Sequence, residues 1–210
     1  MFAKTLSATA KNSLAILGKG VLPPKTYLAG GSALALYLGH RYSLDFDFFT
    51  PTHFDSKELA KKLRQLGKFE KQTSSSNTLL GIFNSIKFSL FYFEYPLVRK
   101  PKKYFDVFIA DPADIAAMKL AAIVDRGTKK DFIDLYFLVK EKYSLEKIFQ
   151  FYNKKYQKLS ENVYSILKGL CYFEDADISP MPKMVKEISW KKVKEFFKNE
   201  TVRLGKEYLR

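Results

Sequence analysis

The chain has 210 residues, of which 47% are apolar, and its formal net charge is +14. The apolar content is sufficient for a folded core, which excludes a disordered chain, and no apolar run approaches the roughly 20 residues of a membrane span. The chain start has no signal-peptide pattern, and its single cysteine, Cys171, excludes an internal disulfide. We therefore expect a soluble cytoplasmic protein without a membrane partner. Cys171, between Leu170 and Tyr172, is predicted to be a small core residue.

The positive charge is concentrated in the first half of the chain. Residues 1–110 carry 16 basic and 7 acidic side chains, whereas residues 111–210 carry 20 and 15. A field of this sign favours a polyanionic partner such as nucleic acid. The alternative is a lysine-rich surface that is simply solvated.

The first predicted elements surround a glycine pair. Apolar residues at helical spacing predict a helix within residues 1–20, ended by Gly18 and Gly20, and two prolines then form a rigid connection. The stretch from Tyr27 to Phe49 predicts a strand, a glycine turn, a short helix and a second strand. That helix is predicted from Ala33 to Leu38, and Gly39 is expected to end it.

The glycine turn has the composition of a phosphate site. Gly30 and Gly31 allow the backbone to turn tightly and to approach a ligand closely. The start of the following helix offers free N–H groups to an anion, and Ser32 adds a hydroxyl donor at the same place.

The second strand carries two carboxylates on one face. Asp45 and Asp47 alternate with Phe46 and Phe48, so the aspartates point to one side of the strand and the phenylalanines to the other. A hard divalent cation with oxygen ligands, most simply Mg²⁺, relieves the repulsion between the two charges. A metal site beside a phosphate site predicts a site for a nucleotide.

Three polar residues precede these aspartates. Ser43 lies one strand repeat before Asp45, and its hydroxyl contacts either the nucleotide and metal or its own turn. Arg41 reaches a phosphate or pairs with an acid. His40 is expected to cap or pack against the end of the short helix.

The middle of the chain predicts a helix, a turn, a hairpin and two basic segments. We expect a helix from Asp55 to Leu66, a turn at 73–77, hairpin strands at 78–83 and 86–94, and a strand at 106–109. Basic side chains cluster on the helix around residues 61–64 and again at 99–103. Each cluster is either a solvated face or a surface that follows phosphates.

A helix predicted from Ala113 to Asp125 places two cations on one face. Lys119 and Arg126 are seven residues, or two turns, apart. Two cations on a core-facing helix need an anion, which is either a nucleotide phosphate or a protein acid such as Asp131 or Asp134. The next helix is predicted from Asp131 to about Lys140.

The remainder of the chain is predicted to be helical. Helices are expected at 145–156, 160–172 and 190–204, with a linker at 175–182. This part contains no arrangement of residues typical of catalysis.

Two ordered blocks of residues resemble the AbiEii toxin family of the DNA polymerase beta-like nucleotidyltransferases. The first block is Leu-Ala-Gly-Gly-Ser-Ala-Leu-Ala-Leu at 28–36, followed by Gly-His-Arg-x-Ser-x-Asp-x-Asp-Phe-Phe at 39–49. The second runs from Asp114 to Tyr136 and includes Lys119, Arg126 and Lys130-Asp131. The resemblance implies an α/β (α+β) fold with a nucleotidyltransferase-like mixed sheet flanked by helices. A core at 1–110 and a helical domain at 111–210 that completes the active site are expected.

The same resemblance implies a reaction and a biological setting. The expected activity is Mg²⁺-dependent transfer of a nucleoside monophosphate from an NTP to an acceptor, either tRNA or a protein. The protein would be the toxin of a toxin–antitoxin or phage-defence system, with a cognate antitoxin protein as partner.

The resemblance also assigns roles to individual residues. Asp45 and Asp47 are expected to hold the metal, and Lys119 and Asp131 to be catalytic, with Asp131 the candidate base. Asp134 is expected to orient Lys119 or Arg126. The residues expected to bind the nucleotide are Gly30, Gly31, Ser32, Ser43 and Arg126.

The chain departs from the family pattern at one position. A third carboxylate commonly follows an Ile-Lys pair by two residues, but Ile86-Lys87-Phe88-Ser89 places a serine there. A catalytically degenerate module that binds nucleotide or RNA is therefore a second hypothesis. A transferase that modifies small-molecule antibiotics is a third, although the positive charge of the chain argues against it.

Overall fold

The computed structural model describes residues 1–209, the side chain of Ser74 excepted. The chain forms two compact units, Met1–Asp111 and Pro112–Arg210. The first contains a seven-stranded mixed sheet with helices, and the described part of the second is helical. The predicted mixed α/β class with a helical C-terminal part is confirmed.

The first unit begins with short helices and continues with alternating strands and helices. Ser7 and Asp55 accept hydrogen bonds from N–H groups of the first turn of α1 and α3, which explains where these helices start. After a 3₁₀ turn at Ala3–Thr5, the elements are α1 (Ala8–Leu17), β1 (Tyr27–Ala29), α2 (Gly30–Leu38), β2 (Asp45–Thr50), α3 (Ser56–Leu66), β3 (Phe69–Ser75), β4 (Thr78–Phe83), β5 (Ile86–Tyr92), β6 (Lys102–Tyr104) and β7 (Val107–Ile109).

The sheet has β2 at its centre. The strand order is β3-β4-β5-β2-β1-β7-β6. β2 pairs antiparallel with β1 and parallel with β5, and the register places Asp47 beside Ala29 on one side and Ser89 on the other. The strand that carries both aspartates is therefore held from both sides.

The two faces of this sheet differ in polarity. Five core side chains alternate with the aspartates and their neighbours and are at most 1% exposed: Leu28, Phe46, Phe48, Phe88 and Leu90. On the opposite face Asp45, Asp47 and Ser89 are half-buried. The period of two predicted for the second strand is confirmed, and it directs both carboxylates away from the core.

Both edge strands of the sheet contradict the sequence prediction. β3 occupies most of the segment predicted as a turn at 73–77, and β6 forms from residues of the basic segment at 99–103. Edge strands are half-solvated, and charged and polar side chains protect them from pairing with other chains. Their sequences therefore lack the apolar alternation by which a strand is recognised.

Two helix starts differ from prediction for local reasons. The first α-helix begins at Ala8 instead of near the chain start, because Ser7 caps it. α2 begins at Gly30 instead of Ala33, so both glycines of the turn belong to its first turn. The predicted end of α2 at Gly39 is confirmed, with Gly39 in the left-handed conformation.

The second unit is built around α4. This helix contacts α5, α6 and α7. Its elements are α4 (Pro112–Asp125), α5 (Lys129–Glu141), α6 (Leu145–Tyr156), α7 (Leu159–Cys171), α8 (Glu174–Ile178) and α9 (Trp190–Tyr208). The predicted linker at 175–182 is wrong in its first part, which forms α8.

Two further features of the second unit concern burial. Cys171 is exposed, so the prediction of a core cysteine is wrong: it ends α7 on the solvent side, where its thiol donates to the carbonyl of Lys168 at 3.3 Å. Lys155 of α6 is buried and donates to Asp114 of α4 at 3.0 Å. Burial lowers the pKa of Lys155, and Asp114 opposes this effect.

Throughout residues 1–209, no helix combines the length and apolarity that crossing a bilayer requires.

Candidate active site

The glycine turn and the two aspartates meet at the junction of β1, α2 and β2. α2 follows β1 directly, and Gly30 adopts a φ of +64° that L side chains rarely adopt. Ala29 precedes the helix and supplies no side-chain cap. Helix starts of this kind direct N–H groups at an anion, so the geometry suits the phosphate site predicted from the sequence.

Three side chains lie close to the backbone of this turn. A Cβ added to Gly30 would overlap Oδ2 of Asp47, and a Cβ added to Gly31 would overlap the guanidinium of Arg41. The hydroxyl of Ser43 is 3.2 Å from the same Cβ position at Gly31. The glycines are thus required because a carboxylate and a cation approach their backbone directly.

Arg41 is the residue that sequence reasoning left undecided. Its side chain is 4% exposed and donates to the carbonyl of Tyr42 at 3.1 Å. A buried guanidinium at a helix N-terminus adds charge-assisted donors for a phosphate to the N–H groups of that helix. In the sequence, only its place two residues before Ser43 connects Arg41 with the candidate site. The direction of its side chain is known from the structure alone.

The hydroxyl of Ser32, predicted from the sequence to donate to a bound anion, donates to the main chain of this protein. Its side chain is fully buried and donates to the main-chain carbonyl of Asp45. This bond ties the first turn of α2 to the start of β2. The hydroxyl of Ser32 therefore holds the aspartate strand in place.

The aspartate pair provides an incomplete set of metal ligands. Carboxylate oxygens are the donors that Mg²⁺ prefers, and two of them suit an ion that takes its other ligands from phosphates and water. Within residues 1–209 no cluster of three or more His, Cys, Asp or Glu side chains could hold a metal. The donor set of Asp45 and Asp47 fits Mg²⁺ only with a phosphate-bearing substrate.

The neighbouring strand β5 supplies a cation and a hydroxyl on the same face. The register pairs Asp45 with Lys87 and Asp47 with Ser89. Ser89 thus stands beside the aspartate pair, at the position where the family pattern predicts an acid. Lys87 is exposed and places a positive charge beside Asp45 in the sheet register.

The second unit contains a separate buried cluster of charges. The ammonium of Lys119 lies 2.7 Å from Asp131 and 2.6 Å from Asp134, and both carboxylates are fully buried. The guanidinium of Arg126 lies 3.2 Å from Asp131. Of the two anions considered for these cations, the structure contains the protein acids.

Asp131 is held in its charged form. Burial alone would raise the pKa of Asp131, but the charges of Lys119 and Arg126 and hydrogen bonds from Lys119 and Thr128 lower it to about 2. A carboxylate with this pKa is ionised at neutral pH but is only a weak base. Its role as base stays a prediction, and its observed contacts fix the positions of the two cations.

The N-terminus of α5, which carries Asp131, is anchored by Lys129. The ammonium of Lys129 donates to the carbonyl of Ser179 at 2.6 Å and lies 5.6 Å from the centre of the Trp190 ring. Thr128 donates to Asp131 at 2.6 Å from the same turn. The sequence does not single out Lys129, because no local pattern distinguishes a buried lysine from a solvated one.

Substitution of Gly30 is expected to harm both folding and activity. In Gly30→Ala the left-handed backbone costs about 1–2 kcal/mol and the new methyl displaces the Asp47 carboxylate. We expect at least a tenfold loss of nucleotide-dependent activity. Gly20→Ala is the matched control, because Gly20 also has a positive φ but no atom within 4 Å of the added methyl. Both variants are compared with the wild type by urea denaturation and by an activity assay. Equal losses of activity in the two variants would show that backbone strain, and not displacement of Asp47, causes the loss.

The chain matches a known family along most of its length. The family described as "Nucleotidyl transferase AbiEii toxin, Type IV TA system" matches residues 14–102 and 91–204. An uncharacterized protein of Aquifex aeolicus is 42% identical over an alignment of 184 residues, which covers 82% of this chain and 88% of the relative.

Two solved structures share the fold at low sequence identity. MenT4, a nucleotidyltransferase toxin of Mycobacterium tuberculosis, has a TM-score of 0.62 and 15% identity, covering 91% of this chain and 81% of its own. JHP933 of Helicobacter pylori has a TM-score of 0.57 and 18% identity, covering 97% and 94%. These similarities confirm the nucleotidyltransferase-like fold expected from the sequence.

Proposed function

The chain belongs to the AbiEii family of nucleotidyl transferase toxins, and from that premise we propose that it transfers a nucleoside monophosphate from an NTP to an acceptor hydroxyl. The observation that carries the proposal is the approach of Asp47 and Arg41 to the Gly30-Gly31 turn. A carboxylate and a cation at one helix start suit a metal-bound triphosphate.

The first unit binds and orients the triphosphate in this proposal. N–H groups of Gly30, Gly31 and Ser32 and the guanidinium of Arg41 hold phosphate oxygens, and Ser43 contributes its hydroxyl. Asp45 and Asp47 would hold Mg²⁺, which when bound neutralises charge on the phosphates.

The reaction breaks one bond and forms one. The acceptor oxygen attacks the α-phosphorus, the bond from that phosphorus to the bridging oxygen breaks, and pyrophosphate leaves. The acceptor proton passes to Asp131, the base predicted from the sequence. The motif resemblance is what assigns Asp131 to the reaction.

The biological setting is part of the same proposal. Family membership supports a toxin with a cognate antitoxin, in a toxin–antitoxin or phage-defence system of the cytoplasm. The acceptor is proposed to be tRNA or a protein, and the net charge of +14 suits tRNA.

A non-catalytic nucleotide-binding module is the second candidate function. The observation that favours it is Ser89, which pairs with Asp47 where a third acid is expected. Without that acid, the phosphate site could bind nucleotide without activating an acceptor.

An acceptor screen distinguishes these two functions. The purified protein is incubated with Mg²⁺, each of the four α-labelled NTPs, and either total tRNA or cell lysate. Transfer is expected to label one acceptor class. NTP binding by calorimetry with no labelled acceptor would support the non-catalytic module and contradict the transferase.

A further inference from the structure

We propose that the first unit binds single-stranded RNA on a surface formed by β6, β7 and the loop before them. This surface, the basic–aromatic strip, comprises Lys25, Tyr95, Arg99–Lys103 and Phe108. The proposal concerns binding alone and stands whether or not the chain transfers nucleotide.

The strip borders a groove with apolar walls. The groove has a volume of about 430 Å³ and lies wholly within the first unit. Phe108, in its wall, is 39% exposed, and the Tyr95 ring packs edge-on against Phe93 at 5.1 Å. The lining residues are Lys25, Tyr27, Pro51, Glu94, Tyr95, Pro96, Leu97, Pro101 and Phe108. The Phe108 ring is exposed and the Tyr95 ring is half-buried, and solvent-accessible rings stack unpaired bases whatever their sequence.

Exposed cations flank Pro101, a residue of the groove wall, along the chain. Arg99, Lys100, Lys102 and Lys103 are exposed within five successive residues, and Pro101 between them lines the groove. The ammonium of Lys103 lies 5.3 Å from the centre of the Phe108 ring. Bases on the rings and phosphates on the cations are the two contacts that single-stranded nucleic acid requires.

Protection of a sheet edge explains the lysines of this strip but not the exposed aromatic ring and the groove. Lysines on β6 would prevent pairing with another chain, but they need no exposed aromatic ring or groove beside them. Glu94 at the rim provides an acceptor for a 2′-hydroxyl, a group that RNA has and DNA lacks.

Phe108 and Lys103 of the strip lie on the same sheet face as the aspartate pair, whereas Lys102 is the register partner of the buried Ile109. The register connects Phe108 to Tyr27 and Tyr27 to Phe49, which is one strand repeat beyond Asp47. Strand spacing therefore places the Phe108 ring roughly 10–15 Å from Asp47.

Binding of a fluorescent 12-nucleotide single-stranded RNA, measured by anisotropy without NTP or metal, tests the proposal. The triple variant Arg99→Ala/Lys100→Ala/Lys103→Ala removes three cations and should reduce the slope of log affinity against log salt by about 2. Phe108→Ala should weaken binding about tenfold without changing the slope, and Phe108→Trp should retain it. Lys61→Ala/Lys62→Ala/Arg64→Ala is the control, because it removes the same charge from exposed positions on α3.

Three outcomes would overturn the assignment. Equal losses in the two triple variants would indicate binding by net charge alone. Binding of DNA of the same sequence as tightly as RNA would contradict the role of the 2′-hydroxyl. Displacement of the RNA by an equimolar acidic peptide would assign the strip to a protein partner. Unchanged transfer activity in these variants would leave the binding result intact, so the two proposals fail separately.

Discussion

The double variant Asp45→Asn/Asp47→Asn is expected to lose nucleotide transfer by at least about a thousandfold and to stop inhibiting growth. Both side chains point away from the core on one face of β2, and Asp47 lies against the Gly30 backbone. Asparagine keeps their size but removes the charges that a cation requires. The measurement is transfer of an α-labelled NTP, together with growth on induction in a bacterial host.

Stability distinguishes this variant from one that merely unfolds. Both positions are half-buried and asparagine is close in size to aspartate, so the variant should remain folded and should unfold cooperatively in urea. Glu161→Gln/Glu187→Gln is the control, since it changes the net charge equally at two exposed carboxylates of the second unit. A double aspartate variant that still transfers nucleotide and inhibits growth would refute the proposed site.

The second large effect is expected from Lys119→Met, which should cost about 3–5 kcal/mol of stability at pH 7. Lys119 is 5% exposed and is the ammonium between two fully buried carboxylates, Asp131 and Asp134. Its loss leaves those charges without their shared partner. Urea denaturation followed by the fluorescence of Trp190, the single tryptophan, reports on the second unit, which contains all three residues.

The dependence of this effect on pH identifies its cause. The pKa of Asp131 is lowered from 3.8 to about 2 in the wild type. Its ionised form therefore contributes about 2 kcal/mol above pH 4, and this contribution is lost as the pH falls to about 2. In Lys119→Met burial raises the pKa of Asp131 from that low value, so less is lost. The difference in stability between the two proteins should narrow as the pH falls from 4 to 2.

Lys154→Met provides the matched control for this prediction. Lys154 is an exposed lysine of the same unit, on α6, and its replacement should change stability by less than about 0.5 kcal/mol. A Lys119→Met penalty that is below 1 kcal/mol, or that stays constant between pH 4 and pH 2, would contradict the importance of the buried charge cluster.

Sequence periodicity predicted the central parts of the fold and failed at the sheet edges. β2 and β4 alternate buried and half-buried side chains, and the first five residues of β5 alternate buried with exposed or half-buried ones, so the pattern of each strand reports its position in the sheet. β3 and β6 flank the sheet and have a pairing partner on one side only. Their polar side chains prevent pairing with a further strand. Because these strands lack apolar alternation, that pattern does not identify them as strands.

The candidate site was predictable where local geometry determines it. Strand period alone placed Asp45 and Asp47 on one face, and glycine chemistry located the turn. The sequence offered Asp131 and Asp134 as candidate partners of Lys119 but left a nucleotide phosphate as the alternative. Contacts between α4 and α5 bring both acids to Lys119. Arg41 was undecided for the same reason, since only the fold directs its side chain over Gly31.

The most direct test of nucleotide transfer compares α-labelled and γ-labelled NTP in parallel reactions with the acceptor, for the wild type and Asp45→Asn/Asp47→Asn. The wild type is predicted to place the α-label on the acceptor and to release the γ-label as pyrophosphate, and the double variant to do neither. A γ-label on the acceptor would mean phosphoryl transfer instead. That result, or α-label transfer by the double variant, would contradict the proposed reaction at the aspartate pair.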